Sequence, residues 1–159
     1  MTSPEKEIEN KIFSTFAEVA RAIGYSPLHG KLIGVLLVKG RAVSLQELAK
    51  KTGYSAGMVS LSLDLLEVLG VVKKVKKEGD RQLYISLAGD LLECLKNAIT
   101  IKVEKSIKES LIDFESAKTQ LAKMNGQDAE NAKKTLEVLE SELNRLHKYI
   151  SLLSEIRLP

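Results

Sequence analysis

Few side chains in this sequence are equipped for covalent or metal chemistry. Cys94 is the single cysteine, and His29 and His147 are the two histidines. An internal disulfide is excluded and a Cys/His zinc site is not expected. Gly30-Lys31 has the ending of a phosphate-binding loop. However, five residues rather than four separate Gly24 from Gly30, Leu32 stands where Ser or Thr would be needed, and no strand precedes. No Ser/His/Asp set or paired-carboxylate cleft can be singled out, so the chain is not expected to be an enzyme or to need a cofactor. Cys94 reads as a small core residue, His29 as a surface or packing residue, and His147 as structural.

Ionic chemistry is better supplied. Lys73, Lys74, Lys76, Lys77 and Arg81 fall within nine residues. Residues 26–87 hold ten Lys/Arg against five Asp/Glu, whereas residues 1–25 hold three against four and residues 88–159 eleven against twelve. The whole-chain charge of +3 therefore comes from the middle segment. A localised basic segment is what a polyanion-binding surface requires. Hydrophobic residues at 44% and charged residues at 28% describe a folded chain rather than a disordered one. No run of about 18 apolar residues suggests a membrane span. The first residues, MTSPEKEIENK, lack an apolar signal core. The expected setting is reducing and cytoplasmic, with no membrane partner.

The elements that would carry these residues can be read from stops and periods. Ser3-Pro4-Glu5 starts a helix in which Ile8, Ile12, Phe16, Val19 and Ile23 recur at helical spacing, and Gly24 stops it. Ser26-Pro27 opens a second, largely apolar helix that ends at Gly40. Ser44-Leu45-Gln46-Glu47 has the form of a capping box for a short third helix closed by Gly53. Ser55 caps a fourth, terminated by Gly70. Two helices joined by a short Gly-containing turn form a helix-turn-helix signal. Val71 to Lys77, a Glu78-Gly79-Asp80 turn, and Leu83, Ile85 and Leu87 in alternation predict a β-hairpin, here a wing. Helical spacing resumes after Ala88 and breaks at Asn125-Gly126. Ala132, Leu136, Leu139, Leu143, Leu146, Ile150 and Leu153 then follow a heptad, the pattern of a helix–helix seam. That seam would meet either the preceding helix or a second copy.

The expected fold is mainly α with a small β-hairpin wing: a winged helix-turn-helix over 26–87, a dimerisation helix over 1–25 and a helical dimerisation region over 88–159. On the fourth helix, Ala56, Gly57, Ser60, Asp64 and Glu67 fall in one arc, with Met58, Val59, Leu61, Leu63, Leu65, Leu66, Val68 and Leu69 filling most of the rest. Ala56, Gly57 and Ser60 are the expected major-groove contacts, while Asp64 and Glu67 would repel phosphates. With no Arg, Asn or Gln in the arc, bidentate base readout is not available from it. Lys73, Lys74, Lys76, Lys77 and Arg81 are the expected wing contacts, with Arg81 directed at a minor groove and oriented by Asp80 through Arg81 itself or a nearby Lys. The competing reading is a winged-helix adaptor that docks a protein without binding DNA.

The stretch Gly53-Tyr54-Ser55-Ala56-Gly57-Met58-Val59-Ser60-Leu61-Ser62-Leu63, followed by Leu66-Glu67, Gly70-Val71-Val72 and Gly79-Asp80-Arg81, is similar to the GbsR-like branch of MarR-type winged-helix regulators. Ser26-Pro27-Leu28-His29-Gly30-Lys31 fits the second helix of that branch. The resemblance implies a homodimer on a pseudo-palindromic operator of double-stranded DNA, usually a repressor and sometimes released by a small ligand. It implies that Ser55 to Ser60 face the major groove and Arg81 the minor groove. Many MarR-type members carry Arg where this chain has Leu61, so Leu61 joins the candidate contacts with a different chemistry. Some GbsR-like members sense choline. A quaternary ammonium calls for an aromatic cage, and with no Trp, four Tyr and three Phe none can be assembled from this sequence.

Overall fold

Serine hydroxyls begin the first four helices of the computed structural model, which describes residues 2–159. The helices are α1 (Pro4–Ala22), α2 (Pro27–Lys39), α3 (Leu45–Thr52) and α4 (Ala56–Val68). Ser3, Ser26, Ser44 and Ser55 accept from the amides of Lys6, Leu28, Glu47 and Met58 respectively. Each satisfies a donor that a helix start leaves unpaired. At Ser26 the reciprocal half comes from His29, whose Nδ1 accepts from the Ser26 N–H at 3.2 Å. His29 is thus a capping residue, with its ring edge against Tyr25. At Ser44 the expected box forms in its serine half only. The Glu47 carboxylate turns instead to Lys39 at 3.1 Å and Arg41 at 3.4 Å. Two cations solvate a carboxylate better than one amide. The Lys39 hydrogen bond is the main cause holding the Glu47 carboxyl below its ordinary range.

Gly53 ends α3 with φ of 76°, a left-handed value that favours glycine, and so allows α4 to start three residues later at a new angle. At Gly30 and Gly34 glycine serves contact rather than conformation. A Cβ on Gly30 would lie 2.0 Å from the Phe16 carbonyl oxygen, so α1 and α2 cross backbone to backbone. Gly34 meets the Phe13 ring on the same face. The Gly30-Lys31 pair therefore belongs to helix packing.

Three strands form one antiparallel sheet in the order β1 (Val43–Ser44), β3 (Leu83–Leu87), β2 (Val72–Lys76). Val43 pairs with Ile85, and Lys74 pairs with Ile85 from the other side. Leu28, Leu32, Val35 and Leu36 of α2, Leu48 of α3, Val59, Leu63 and Leu66 of α4, and Val43, Val72 and Ile85 of the sheet form the core. Burial of such side chains contributes roughly 1.5–3 kcal/mol each. On α1 the buried line is Phe13, Ala17 and Ala20, while Ile8 and Val19 face outward.

The chain divides into two compact units, the first ending at Leu95 and the second beginning at Lys96. Residues 1–25 thus lie in one unit with the winged helix. The boundary falls inside α5 (Leu91–Leu121), whose first turn belongs to the first unit. There Cys94 is buried and its thiol donates to the Gly70 carbonyl at 3.3 Å. Burial first, then Asp90 and Glu93, pushes that thiol's pKa up, away from the reactive thiolate. In the second unit, α5 runs antiparallel to α6 (Gln127–Glu155). Lys118 pairs with Glu140 near one end, and Lys96 donates to the Ser154 and Ile156 carbonyls at the other. Ile107 and Ile150 are buried here. Leu139, Leu146 and Leu153 of the heptad stay exposed, as do Tyr149, Leu152 and His147. Between the helices, Val103, Ile107, Leu143 and Leu146 line an apolar cleft of about 240 Å³. No described helix is long and apolar enough to cross a membrane.

Candidate nucleic-acid interface

Helix α4 packs on the core through one side only, made of Val59, Ser62, Leu63, Leu66 and Leu69. The opposite side is open. Ser55, Ala56 and Gly57 are exposed at its start and Ser60 is half-buried. A Cβ on Gly57 would meet nothing within 4 Å, so no internal contact calls for glycine there. The open side is centred on Gly57, Leu61, Asp64 and Val68, with Met58 and Leu65 beside them. This corrects the sequence reading of the helix faces, which set Met58, Leu65 and Val68 outside a narrow free face; Leu61, already a candidate contact, lies on the open side. The helix is apolar almost all round, so periodicity does not mark the core side. Ser62, buried within that side, further disguises it.

The carboxylates of α4 do not stand alone. Lys74 reaches across from β2 to Asp64 at 2.6 Å and to Glu67 at 3.8 Å. The Asp64 hydrogen bond leads the causes that raise the Lys74 pKa, so the ammonium stays charged. Strand parity explains the reach. Lys74 is opposite Ile85 in the register and shares its face, along with Val72 and Lys76, whereas Lys73 pairs with Ser86 on the other face. Of the five candidate wing cations, Lys74 is therefore engaged within the chain, and its charge offsets one of the two carboxylates beside it.

Beyond the strands, Asp80 organises the wing tip. Its Oδ1 accepts from the Gln82 N–H at 2.9 Å, and its Oδ2 accepts from the Tyr84 hydroxyl at 2.8 Å. These two bonds, the amide first, hold the Asp80 carboxyl below the usual range, and the same carboxylate pushes the Tyr84 hydroxyl up. Lys77 lies 4.0 Å from the centre of the Tyr84 ring, a cation–π contact that fixes it over the hairpin. Asp80 thus orders the backbone; of the two partners the sequence reading offered it, Arg81 or a nearby Lys, it makes no ion pair with Arg81, while the charge of Lys77 acts on it. Arg81 is exposed and has no ion pair or side-chain hydrogen bond among the described residues. Lys73 and Lys76 are likewise exposed. At the other end of the helix-turn-helix, Lys31 lies 5.5 Å from the centre of the Tyr54 ring, just before the Ser55 cap. Neither Tyr54 nor Tyr84 was singled out from the sequence. An aromatic near a lysine cluster is the signal that could have found them.

No protein-family profile matches the sequence, and no curated protein matches it. Solved structures do. One described as a transcriptional regulator superposes with a TM-score of 0.63 at 18% identity, over 91% of this chain and 93% of that one. Wild-type MarR from E. coli, in its apo form, gives 0.43 at 13% identity, over 92% and 98%. A single-substitution mutant of S. aureus MepR, bound to an oligodeoxyribonucleotide, gives 0.44 at 16% identity, over 87% and 94%. At these identities the likeness concerns the fold. The chain is a winged helix-turn-helix, mainly α with a small antiparallel sheet, as its caps, stops and alternation predict.

Proposed function

We propose that this protein is a transcriptional regulator that binds double-stranded DNA as a homodimer. Helix α4 enters the major groove and Arg81 enters an adjoining minor groove. The observation that carries this reading is the pairing of an open α4 face with an ordered wing tip that leaves Arg81, Lys73 and Lys76 uncommitted. A winged helix that bound no polyanion would have little use for unpaired cations there. Apolar residues left exposed on α1 (Ile8, Val19) and on α6 (Leu139, Leu146, Leu152) suit burial against a second copy. A twofold pair would set two α4 helices about one duplex turn apart, roughly 34 Å, on a pseudo-palindromic operator. The reading continues to repression relieved by a small ligand, as the GbsR-like resemblance implies. The cleft beside Val103 and Leu143 has no aromatic lining, which gives a quaternary ammonium no cage there.

The test is selection of duplexes from a random library with the purified protein, followed by affinity against salt. Neutralising about three to five phosphates per protomer gives a log–log slope of roughly −5 to −9 for a dimer. A flat response rejects the mechanism. Failure to bind any duplex, with recovery of one stoichiometric protein partner, would establish the adaptor reading instead.

A further inference from the structure

Helix α4 turns an apolar ridge outward from the most cationic part of the chain. Met58, Leu61, Leu65 and Val68 are 52%, 72%, 37% and 79% exposed. They follow one another by threes and fours, which aligns them along one side of the helix. A surface helix in a protein without a partner normally turns charged and polar residues outward. Here the exposed positions of α4 hold no Arg, Lys, Asn, Gln or His. Their two carboxylates share Lys74, and the surrounding residues 26–87 carry five more basic than acidic side chains. An apolar ridge within a cationic surface complements an apolar floor between anionic rails. The major groove offers that arrangement: phosphates edge it, and the apolar group on its floor is the pyrimidine C5-methyl.

We propose, resting on the DNA-binding reading above, that α4 recognises its site through C5-methylpyrimidines. Leu61 and Met58 pack on methyl groups in the major groove, with Leu65 at the edge of the contact. Gly57, which has open space where a Cβ would stand, lets the first turn approach the base edges. From Met58 to Leu65 the helix rises about 10 Å, and a duplex strand advances about 3.4 Å per nucleotide, so the contacting part of the ridge spans about three base steps. Asp64 and Glu67 hold the later turns off the phosphates, which leaves Leu61 and Met58 as the residues that determine specificity.

The experiment uses the intact protein and its selected duplexes. Each thymine is replaced in turn by deoxyuridine, which removes only the methyl group. At least one thymine per half-site is expected to lose about three- to tenfold in affinity. Leu61→Ala is expected to bring the thymine-to-uridine affinity ratio close to one, a ratio read within the variant itself and so independent of any overall loss of binding. At the same position, 5-methylcytosine opposite guanine distinguishes the two sources of the methyl. If it binds better than cytosine, the methyl itself is read; if only thymine is accepted, the whole base pair is read with it. Binding that is equal for every thymine and uridine duplex overturns methyl readout but leaves DNA binding intact. Absence of any duplex binding removes both. If Leu61→Ser dissolves self-association and no uridine effect is seen, the ridge belongs to a second copy and the proposal fails. The wild-type series needs no variant, and Leu61 lies outside the core, so misfolding does not confuse the result.

Discussion

Lys74 shows how one side chain changes the character of a neighbouring element. Its ammonium lies between Asp64 and Glu67, so its removal leaves two carboxylates facing the proposed groove. Lys74→Ala should therefore weaken duplex binding about tenfold, more than Lys73→Ala, and Asp64→Asn in the same chain should recover most of the loss. Equal effects of the two lysines in a titration series would show that Lys74 simply contacts phosphate. Glycines give a second contrast. Gly57→Ala meets no clash, so it should leave stability unchanged or raise it by up to about 1 kcal/mol, yet weaken binding by holding α4 off the base edges. Gly30→Ala places a methyl against the Phe16 carbonyl and should destabilise the fold by about 2 kcal/mol or more. Urea unfolding of the two variants, side by side, checks both signs.

At the scale of elements, the wing owes its shape to a tip ordered by Asp80. Because the folded Asp80 carboxyl sits below its ordinary value, the ordering it provides is complete above about pH 4 and is lost as pH falls further, through the depressed value. Below neutral pH the Tyr84 ring resonances should therefore shift in a single step, with a midpoint below that of a free aspartate. A midpoint near neutrality would assign the transition elsewhere. Asp80→Ala should lower duplex affinity several-fold with little change in global unfolding, since the tip is exposed. Much of this element structure was legible in the residue order. Ser caps and Gly stops act locally, so the ends of α1 to α4 lie close to where Ser3, Ser26, Ser44, Ser55, Gly40 and Gly53 place them. The alternation of Leu83, Ile85 and Leu87 likewise marks β3. What escaped was non-local or ambiguous. β1 has two residues and no period of its own, and exists only by pairing Val43 with Ile85. The open side of α4 was hidden because leucines surround the helix. The partner of Lys74 needed strand parity combined with the position of α4, and the tip bonds of Asp80 needed the turn itself.

For the whole molecule, the exposed apolar residues on α1 and α6 call for burial. Sedimentation at micromolar concentration should give a dimer, and Leu139→Glu with Leu152→Glu should give a folded monomer that binds duplex at least tenfold more weakly, because a half-site alone then carries the affinity. An unchanged dimer in that variant would place the interface elsewhere. The most direct measurement is amide hydrogen exchange of the full chain with and without saturating selected duplex. Slowed exchange is expected in the first turns of α4, about residues 56–61, and at the wing tip around Lys77–Gln82. Protection confined to α5 and α6, or none in α4 and the wing, would contradict the assignment of this face to DNA.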